Sequence, residues 1–239
     1  MTVLDLAAAG AVGVPEVGGK AASLARLLRA GFAVPHGFVI PAGVYRQAAV
    51  ALGLDRPSAG RPEEARRRLL AIDLPAAVIE GVGRAVDDLL EGAGSEYVAV
   101  RSSAVGEDGA GASAGAAGGM AVLVQRFVDA EVSGVMFTGD PTVIEGSWGV
   151  GELLVSGRVA PDSWRTDDSG ILARRAGRKI TRSDRRDGRL VTGPVAAAEQ
   201  AAWCLADSRV QSLHVVGRKV SSVLGGARDI EWVLADGTT

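Results

Sequence analysis

Apolar residues recur at spacings of three and four along several segments, which predicts that each segment forms a helix with one buried side. The segments are residues 18–31, a helix that begins at Pro62, residues 75–90 and residues 208–224. Gly31 is expected to end the first helix, because glycine readily adopts the left-handed conformation that follows many helices. In the last helix the predicted buried face consists of Val210, Leu213, Val216, Val220 and Val223.

Short β-prone stretches between these helices predict strands. They are residues 97–100, 120–128, 132–138 and 229–234, and the first is expected to end at Arg101. The spacer 129–131 between the second and third strands fits either a hairpin or a crossover between two lobes. The stretch 167–193, rich in Arg, Asp and Gly, is expected to form an exposed hairpin or loop. Helices mixed with strands indicate the α/β (α+β) class.

Composition narrows the possible functions. The chain has 239 residues, 47% of them hydrophobic, which is enough for one large domain or two small lobes. The net charge of −2 and the dispersed basic residues indicate no nucleic-acid partner. The N-terminal residues do not resemble a signal peptide, and no apolar run approaches the ~18 residues of a membrane span, so no membrane partner is expected. The single cysteine, Cys204, is expected to be a buried, inert thiol in a cytoplasmic protein.

Two segments carry cations suited to phosphate. Residues 18–20, Gly-Gly-Lys, open the first helix, where backbone amides and the Lys20 ammonium can meet one phosphate oxygen. The alternative is a turn followed by a solvated lysine. Arg101 precedes Ser102 and Ser103, so a guanidinium fork stands beside hydroxyl and amide donors. Here the alternative is a structural salt bridge.

A run of small residues, mostly Gly and Ala, fills positions 109–119. Because it carries no bulky side chain, it suits a flap that closes over a triphosphate. A flexible linker has the same composition, so both interpretations stay open.

Carboxylates near the end of the chain suit a metal ion. Asp229 and Glu231 lie two apart on a predicted strand and therefore project from one face, as two oxygen ligands for magnesium would. Glu145 and Glu152 are further candidates beside glycines, and a solvent-facing pair without a metal is the alternative. His36 and His214 lie in apolar surroundings and are expected to be packing or capping residues.

Taken in order, the motifs resemble the ATP-binding domain of phosphoenolpyruvate synthases, which pyruvate phosphate dikinase and the rifampin phosphotransferases share. The matching stretches are 17–24 (VGGKAASL), 34–40 (VPHGFVI), 98–104 (VAVRSSA) with Glu107 and Asp108, 124–128 (VQRFV), 133–138 (SGVMFT) with Asp140 and Pro141, and 229–232 (DIEW). The similarity extends over nearly the whole chain.

The resemblance implies an ATP-grasp fold, in which two α/β lobes clamp ATP together with Mg²⁺. Residues 1–119 would hold the phosphate-binding cations and the Gly-rich loop, and residues 120–239 would hold the adenine hinge and the metal-binding carboxylates. The roles implied are phosphate binding and catalysis for Lys20 and Arg101, the phosphate-covering loop for Gly115, adenine binding for Gln125 and Val128, and magnesium binding for Asp229 and Glu231, with ribose as an alternative for Glu231.

The chain departs from the resemblance in two places. Between Arg101 and Gln125 the family carries a loop, a strand and helices, whereas here only the Gly-Ala bridge remains. The family's Gln-x-Arg strand after the 229–232 motif is also absent from the sequence, which ends at Thr239. Neither histidine has the glycine-serine context of a carrier histidine.

Three functions follow from these observations. The first is an ATP-dependent phosphotransferase domain that passes a phosphoryl or diphosphoryl group to a histidine on a partner, or to a small acceptor. The partner would be a separate phosphohistidine carrier or a phosphoenolpyruvate- or pyruvate-binding protein. The second is a degenerate, non-catalytic module that binds nucleotide or another protein, and the third is an ATP-grasp ligase.

Overall fold

The computed structural model describes residues 3–54, 62–91, 96–104 and 119–235. The chain forms two compact units, Met1–Phe127 and Val128–Thr239. Every pairing between named strands in the described ranges is antiparallel, which gives the α+β form of a mixed α/β protein. Among the helices of those ranges, none is both long and apolar enough to cross a membrane.

The first unit has one sheet with the strand order β1-β2-β4-β3. The strands are β1 (Leu4–Asp5), β2 (Gly37–Ile40), β3 (Val98–Ala104) and β4 (Met120–Arg126), and the helices are α1 (Leu6–Val12), α2 (Val14–Arg29), α3 (Ala42–Ala51), α4 (Pro62–Leu70) and α5 (Ala76–Leu90). Buried side chains of α1 and α2 pack against those of β2 and β4 to form its core.

The predicted end of the first helix is confirmed. Gly31 has a φ of 82° and follows the last residue of the α2 C-terminus. The Gly31 amide donates to the Leu28 carbonyl at 3.0 Å, and the Phe32 amide donates to the Leu27 carbonyl at 3.1 Å. This hydrogen-bond pair is a Schellman motif, which requires a left-handed residue and therefore favours glycine.

The second unit has a sheet with the order β11-β5-β6-β7-β8 and a separate hairpin of β9 and β10. The strands are β5 (Val132–Phe137), β6 (Thr142–Trp148), β7 (Asp162–Asp167), β8 (Gly170–Arg175), β9 (Thr181–Arg186), β10 (Arg189–Pro194) and β11 (Asp229–Leu234), and the helices are α6 (Glu152–Val155), α7 (Ala197–Ala201) and α8 (Asp207–Leu224).

Residues 129–131 connect two different sheets, so the hairpin alternative for this spacer is wrong. Strand β4 lies between β2 and β3, whereas β5 lies between β11 and β6. The observed units meet at Phe127 and Val128, one strand later than the boundary expected at residues 119–120. The difference is β4 itself, because its ladder with β2 and β3 holds it in the first unit.

One further prediction about strands needs correction. Strand β3 does not end at Arg101, because Ser102, Ser103 and Ala104 continue its pairing with β4. The hairpin predicted for the Arg-rich stretch is confirmed: β9 and β10 form one, and β8 pairs with β7 in another. Asp187 and Gly188 at the turn between β9 and β10 both have positive φ, which is the geometry of a tight two-residue hairpin.

The predicted buried face of α8 is wrong at one position. Val216 is 36% exposed, whereas His214 and Gly217 are buried with Val210, Leu213 and Val220. A Cβ at Gly217 would lie 2.7 Å from the Met136 sulfur, so the missing side chain lets α8 approach β5 closely. The periodic pattern of apolar residues does not predict this close approach at Gly217, because glycine has no apolar side chain that would count towards the pattern.

A buried ion pair joins three segments of the second unit. The Asp162 carboxylate accepts from Lys179 Nζ at 2.6 Å, from the Gly177 amide at 2.8 Å and from the Cys204 amide at 2.8 Å. Both charged side chains are almost fully buried. Because the charges compensate one another and the amides satisfy further lone pairs, the carboxylate can remain in the interior.

Replacement of Lys179 by Met should lower the free energy of unfolding by about 3–5 kcal/mol, because it leaves the Asp162 charge buried without its partner. Arg158→Met is the matched control, since Arg158 and Glu152 form an ion pair in which both side chains are about half exposed. The control should lose about 1 kcal/mol or less. Urea unfolding monitored by tryptophan fluorescence measures both, and equal small losses would contradict the role of the buried pair.

Candidate functional site

A break in α2 creates the helix start that carries Lys20. Gly18 has a φ of 75° and a ψ of 165°, so two helices meet at this residue and the second begins at Gly19. Lys20 is the second residue of that helix and is half-buried. The first amides of a helix point along its axis, so the Lys20 side chain stands at a helix end that favours anions.

Ser103 fixes both sides of this break. Its hydroxyl donates to the Val17 carbonyl at 2.8 Å and accepts from the Ala21 amide at 3.1 Å. A Cβ at Gly18 would lie 2.1 Å from the Ser103 carbonyl oxygen, so only glycine fits there. The Ser103 hydroxyl is completely buried and is engaged within the fold, which differs from the expected donor to phosphate.

Arg101 lies two residues before Ser103 on β3 and therefore on the same face of the strand. Its side chain is exposed. Since Ala21 directly follows Lys20, one buried serine links the strand of Arg101 to the helix of Lys20. The helix that carries Lys20 and the strand that carries Arg101 are therefore joined through Ser103 within the first unit.

Gln125 and Val128 occupy different environments. Gln125 lies on the central strand β4, is 7% exposed, and its Nε2 donates to the Pro35 carbonyl at 3.0 Å. That contact anchors the loop before β2. Val128 begins the second unit outside any strand, and within the described ranges its backbone makes no hydrogen bond.

The carboxylates of β11 share one exposed face. Asp229 and Glu231 are both exposed, whereas Trp232 and Leu234 are buried in the core of the unit. Glu231 is opposite Val135 on β5, and Val135 is opposite Glu145 on β6. Directly opposed residues of antiparallel strands project from the same side, so Glu145 lies on the face of Glu231, two strands away.

Other predicted site residues are separate from these. Glu152 pairs with Arg158 at 2.5 Å on the surface of α6. Gly115 and most of the Gly-rich run lie outside the described residues. Within the described part of the chain, no group of three or more His, Cys, Asp or Glu side chains is placed to hold a metal ion by itself.

Two adjoining cavities of about 200 and 280 Å³ lie at the turn between β7 and β8, beside α8. His214 lines both, with Nδ1 2.9 Å from Thr166 Oγ1 and Nε2 3.3 Å from Asp168 Oδ1. The hydroxyl and amide of Ser169 donate to Asp167 and hold the pKa of that carboxyl below its ordinary value. The predicted phosphate, adenine and metal residues do not line these cavities.

Cys204 is buried, as predicted. Burial, together with the negative charge of Asp162, raises the pKa of the thiol well above its ordinary value. The thiolate, the form in which a cysteine acts as a nucleophile, is therefore strongly disfavoured at Cys204.

The structure also uses residues that sequence reasoning missed. Asp162 and Lys179 received no role, because nothing distinguishes Lys179 from the arginines that surround it in sequence. A signal for Asp162 did exist. It alternates with the buried residues Trp164 and Thr166, which is the period of a half-buried strand.

The first unit thus presents the helix-start and strand cations, and the second presents the paired carboxylates of β11. The sequence model of the family described as "Pyruvate phosphate dikinase, AMP/ATP-binding domain" matches residues 14–118 and 116–239. The chain belongs to this family.

Curated relatives carry three different names. The chain is 30% identical to a probable phosphoenolpyruvate synthase of Methanothermobacter thermautotrophicus, covering 92% of the chain and 42% of the relative. It is 32% identical to the prodigiosin synthesizing transferase PigC of Serratia marcescens, covering 92% and 30%. It is 35% identical to a rifampicin phosphotransferase of Bacillus subtilis, covering 50% and 15%. The chain therefore spans less than half the length of these relatives.

The comparisons also bear on the predicted shortening. The two matched segments of the family model meet at residues 116–118, between β3 and β4. The alignment with the relative from Methanothermobacter thermautotrophicus is 289 positions long, more than the 239 residues of this chain. That relative therefore carries residues that this chain lacks.

Ser103→Ala should lower the free energy of unfolding by about 1–3 kcal/mol, because the Ala21 amide and the Val17 carbonyl lose their buried partner. Ser102→Ala is the control, since the Ser102 side chain is exposed on the opposite face of β3. It should change stability by about 0.5 kcal/mol or less. Chemical denaturation of both variants tests this, and an equal effect would mean that the Ser103 hydroxyl does not hold the break in α2.

Proposed function

We propose that this chain binds ATP with Mg²⁺ and is the nucleotide-binding part of a phosphotransferase. The observation that carries the proposal is the link through Ser103 between the helix start of Lys20 and the strand of Arg101, in a member of an AMP/ATP-binding family. The proposed fold is of the ATP-grasp type. The first unit would bind the phosphates, the segment from Gln125 to Val128 would bind adenine, and the second unit would contribute the metal-binding residues.

Lys20 and Arg101 are the proposed phosphate ligands and catalytic residues. Phosphoryl transfer depends chiefly on positioning and on neutralising the charge of the transferred group. A lysine at a helix start supplies a cation beside backbone amides, and an arginine supplies a planar pair of donors. The exposure of Arg101 and the partial exposure of Lys20 leave both side chains accessible to a ligand. Gly115 is proposed to act in the loop that covers the phosphates.

Asp229 and Glu231 are the proposed magnesium ligands. Their exposed, same-face placement fits a cation that takes one or two carboxylates from the protein and completes its shell with phosphate oxygens and water. Held by Asp229 and Glu231, the ion would supply positive charge that offsets the charge of the phosphates.

Adenine is proposed to bind along the segment from Gln125 to Val128. Among the described residues no hydrogen bond is formed by the backbone of Val128, and backbone groups of this kind suit the edge of a purine ring. Because the Gln125 amide nitrogen is already bonded to the Pro35 carbonyl, we propose that Gln125 acts mainly by fixing the path of this segment.

The proposed reaction passes a phosphoryl or diphosphoryl group from ATP to a histidine on a partner protein or to a small acceptor. The names of the relatives point to more than one acceptor for proteins that share this region. A non-catalytic nucleotide-binding or interaction module is the second candidate, and the shortened stretch between β3 and β4 favours it.

ATP binding in the presence of Mg²⁺ should be measurable by isothermal titration calorimetry. Lys20→Ala should weaken binding by about 1.5–3 kcal/mol, the contribution of one charge-assisted bond to phosphate. Lys219→Ala is the matched control, because Lys219 is an exposed lysine of α8 outside the proposed site. Absence of heat and of any thermal shift with millimolar ATP would overturn the proposal, and equal affinities of the two variants would remove Lys20 from it.

Turnover should require an added acceptor. His214 is buried between Thr166 and Asp168, and the exposed His36 lacks the sequence context of a carrier histidine. With ATP labelled in turn at the β and γ phosphates, the chain alone should stay unlabelled, and a partner with a carrier histidine should acquire acid-labile label. AMP or ADP as product would distinguish diphosphoryl from phosphoryl transfer.

The partner hypothesis would be contradicted if this chain itself acquired label and His36→Ala removed that label. The non-catalytic module would be favoured if ATP bound but no partner or pyruvate-like acceptor started turnover.

A further inference from the structure

The indole of Trp232 lies over two glycines on the buried face of the second sheet. Trp232 on β11 is opposite Gly134 on β5, and Gly134 is opposite Gly146 on β6. A Cβ at Gly134 would lie 2.3 Å from Trp232 Cζ2, and a Cβ at Gly146 would lie 3.1 Å from Cη2. The indole therefore occupies the space that the two missing side chains leave.

This space exists at one point along β5. The neighbouring residues on the same face, Val132 and Met136, have buried side chains that lie opposite Leu234 and Ile230 of β11. A shift of β11 by two residues would move the indole from Gly134 onto one of these side chains. Trp232 therefore specifies the register of β11 more strongly than the strand ladder does, because a ladder alone tolerates such shifts.

The register of β11 determines where its carboxylates stand. Strand β11 is at the edge of its sheet and pairs with β5 alone among the described strands. Glu231 directly precedes Trp232 and projects from the opposite face. A shift of β11 by two residues would bring Asp229 or Val233 to the position of Glu231. A smaller displacement of β11 would move the Glu231 carboxylate by a fraction of the distance between these positions.

The indole is retained at an energetic cost. Trp232 is 7% exposed, and its Nε1 is buried without a hydrogen-bond partner among the described residues. An unpaired buried N–H destabilises a fold. An apolar side chain without an N–H group would not carry that cost. We therefore infer that the role of the indole depends on its shape.

We propose that Trp232 is a positioning residue for magnesium: its packing on Gly134 and Gly146 fixes β11 so that Glu231 stands where the metal requires it. The inference rests on the proposed role of Glu231 in binding Mg²⁺ with ATP. It explains why the motifs at residues 133–138 and 229–232 occur together in one chain, since the glycine of the first accommodates the tryptophan of the second.

The test measures ATP affinity as a function of Mg²⁺ concentration for the parent chain and for Trp232→Phe, Trp164→Phe and Glu231→Gln. Trp164→Phe is a matched control, because Trp164 is also a buried tryptophan of this core with an unpaired Nε1, but it lies on β7. Trp232→Phe should raise the Mg²⁺ concentration for half-maximal ATP binding by about 10-fold. Glu231→Gln should change this Mg²⁺ concentration in the same direction. Trp164→Phe should leave the concentration unchanged, even if both tryptophan variants lose thermal stability.

Gly146→Ala is the second variant in case Trp232→Phe does not fold. Its methyl group would lie 3.1 Å from the indole and 3.2 Å from the Cys204 sulfur, so it displaces the ring slightly without removing it. It should also raise the magnesium requirement. Equal magnesium requirements for the two tryptophan variants, while Glu231→Gln differs from the parent, would overturn this inference and leave the proposed function standing. A parent chain that does not bind ATP would overturn the proposed function itself, and this inference with it.

Discussion

In each unit, close contacts at glycines hold the element that carries proposed ligand residues. In the first unit, Gly18 lies against the carbonyl of Ser103, and the helix of Lys20 begins directly after that contact. In the second unit, Gly134 and Gly146 leave the space that the Trp232 indole fills. A larger residue at Gly18 or Gly134 would displace the helix or strand that carries a proposed ligand of the nucleotide, whereas an alanine at Gly146 would shift the indole only slightly. The glycines therefore constrain the site although they bind nothing themselves.

Local patterns were enough to predict four of the helices, whereas α1, α3, α6 and α7 were not predicted. The helix that includes Lys20 ends where Gly31 was expected to end it, because both the period and the end signal involve neighbouring residues. Strand β11 was predicted at its observed bounds for the same reason. Pairing partners were not predictable, since β4 and β5 are adjacent in sequence and belong to different sheets. Register and sheet order depend on contacts between distant residues, which a periodic pattern does not encode.

The candidate site was predictable in part. The order of motifs led to Lys20 and Arg101, whose helix and strand are joined through Ser103. It also led to Asp229 and Glu231, which lie on one face of β11. The hydrogen-bonding role of Ser103 was not predictable, because a serine hydroxyl can bond a phosphate or a helix amide and the sequence does not distinguish the two. Only its burial between Val17 and Ala21 decides between the two uses. The other assigned roles stay proposals.

The proposed phosphate-binding arrangement does not depend on the length of the chain between β3 and β4, for a geometric reason. Ala104, the last residue of β3, is directly opposite Met120, the first residue of β4. Any connection between them starts and ends at neighbouring points, and each doubling of a flexible loop costs only about 0.6 kcal/mol. The ladder that places Arg101 and Ser103 therefore does not depend on the length of that connection. In the proposed site this segment would cover the phosphates, and such a cover would affect the exclusion of water and the rate of transfer more than the charges that attract a nucleotide. A chain shortened at this point can thus keep nucleotide binding while its turnover changes, which is why binding and turnover have to be measured separately in this protein.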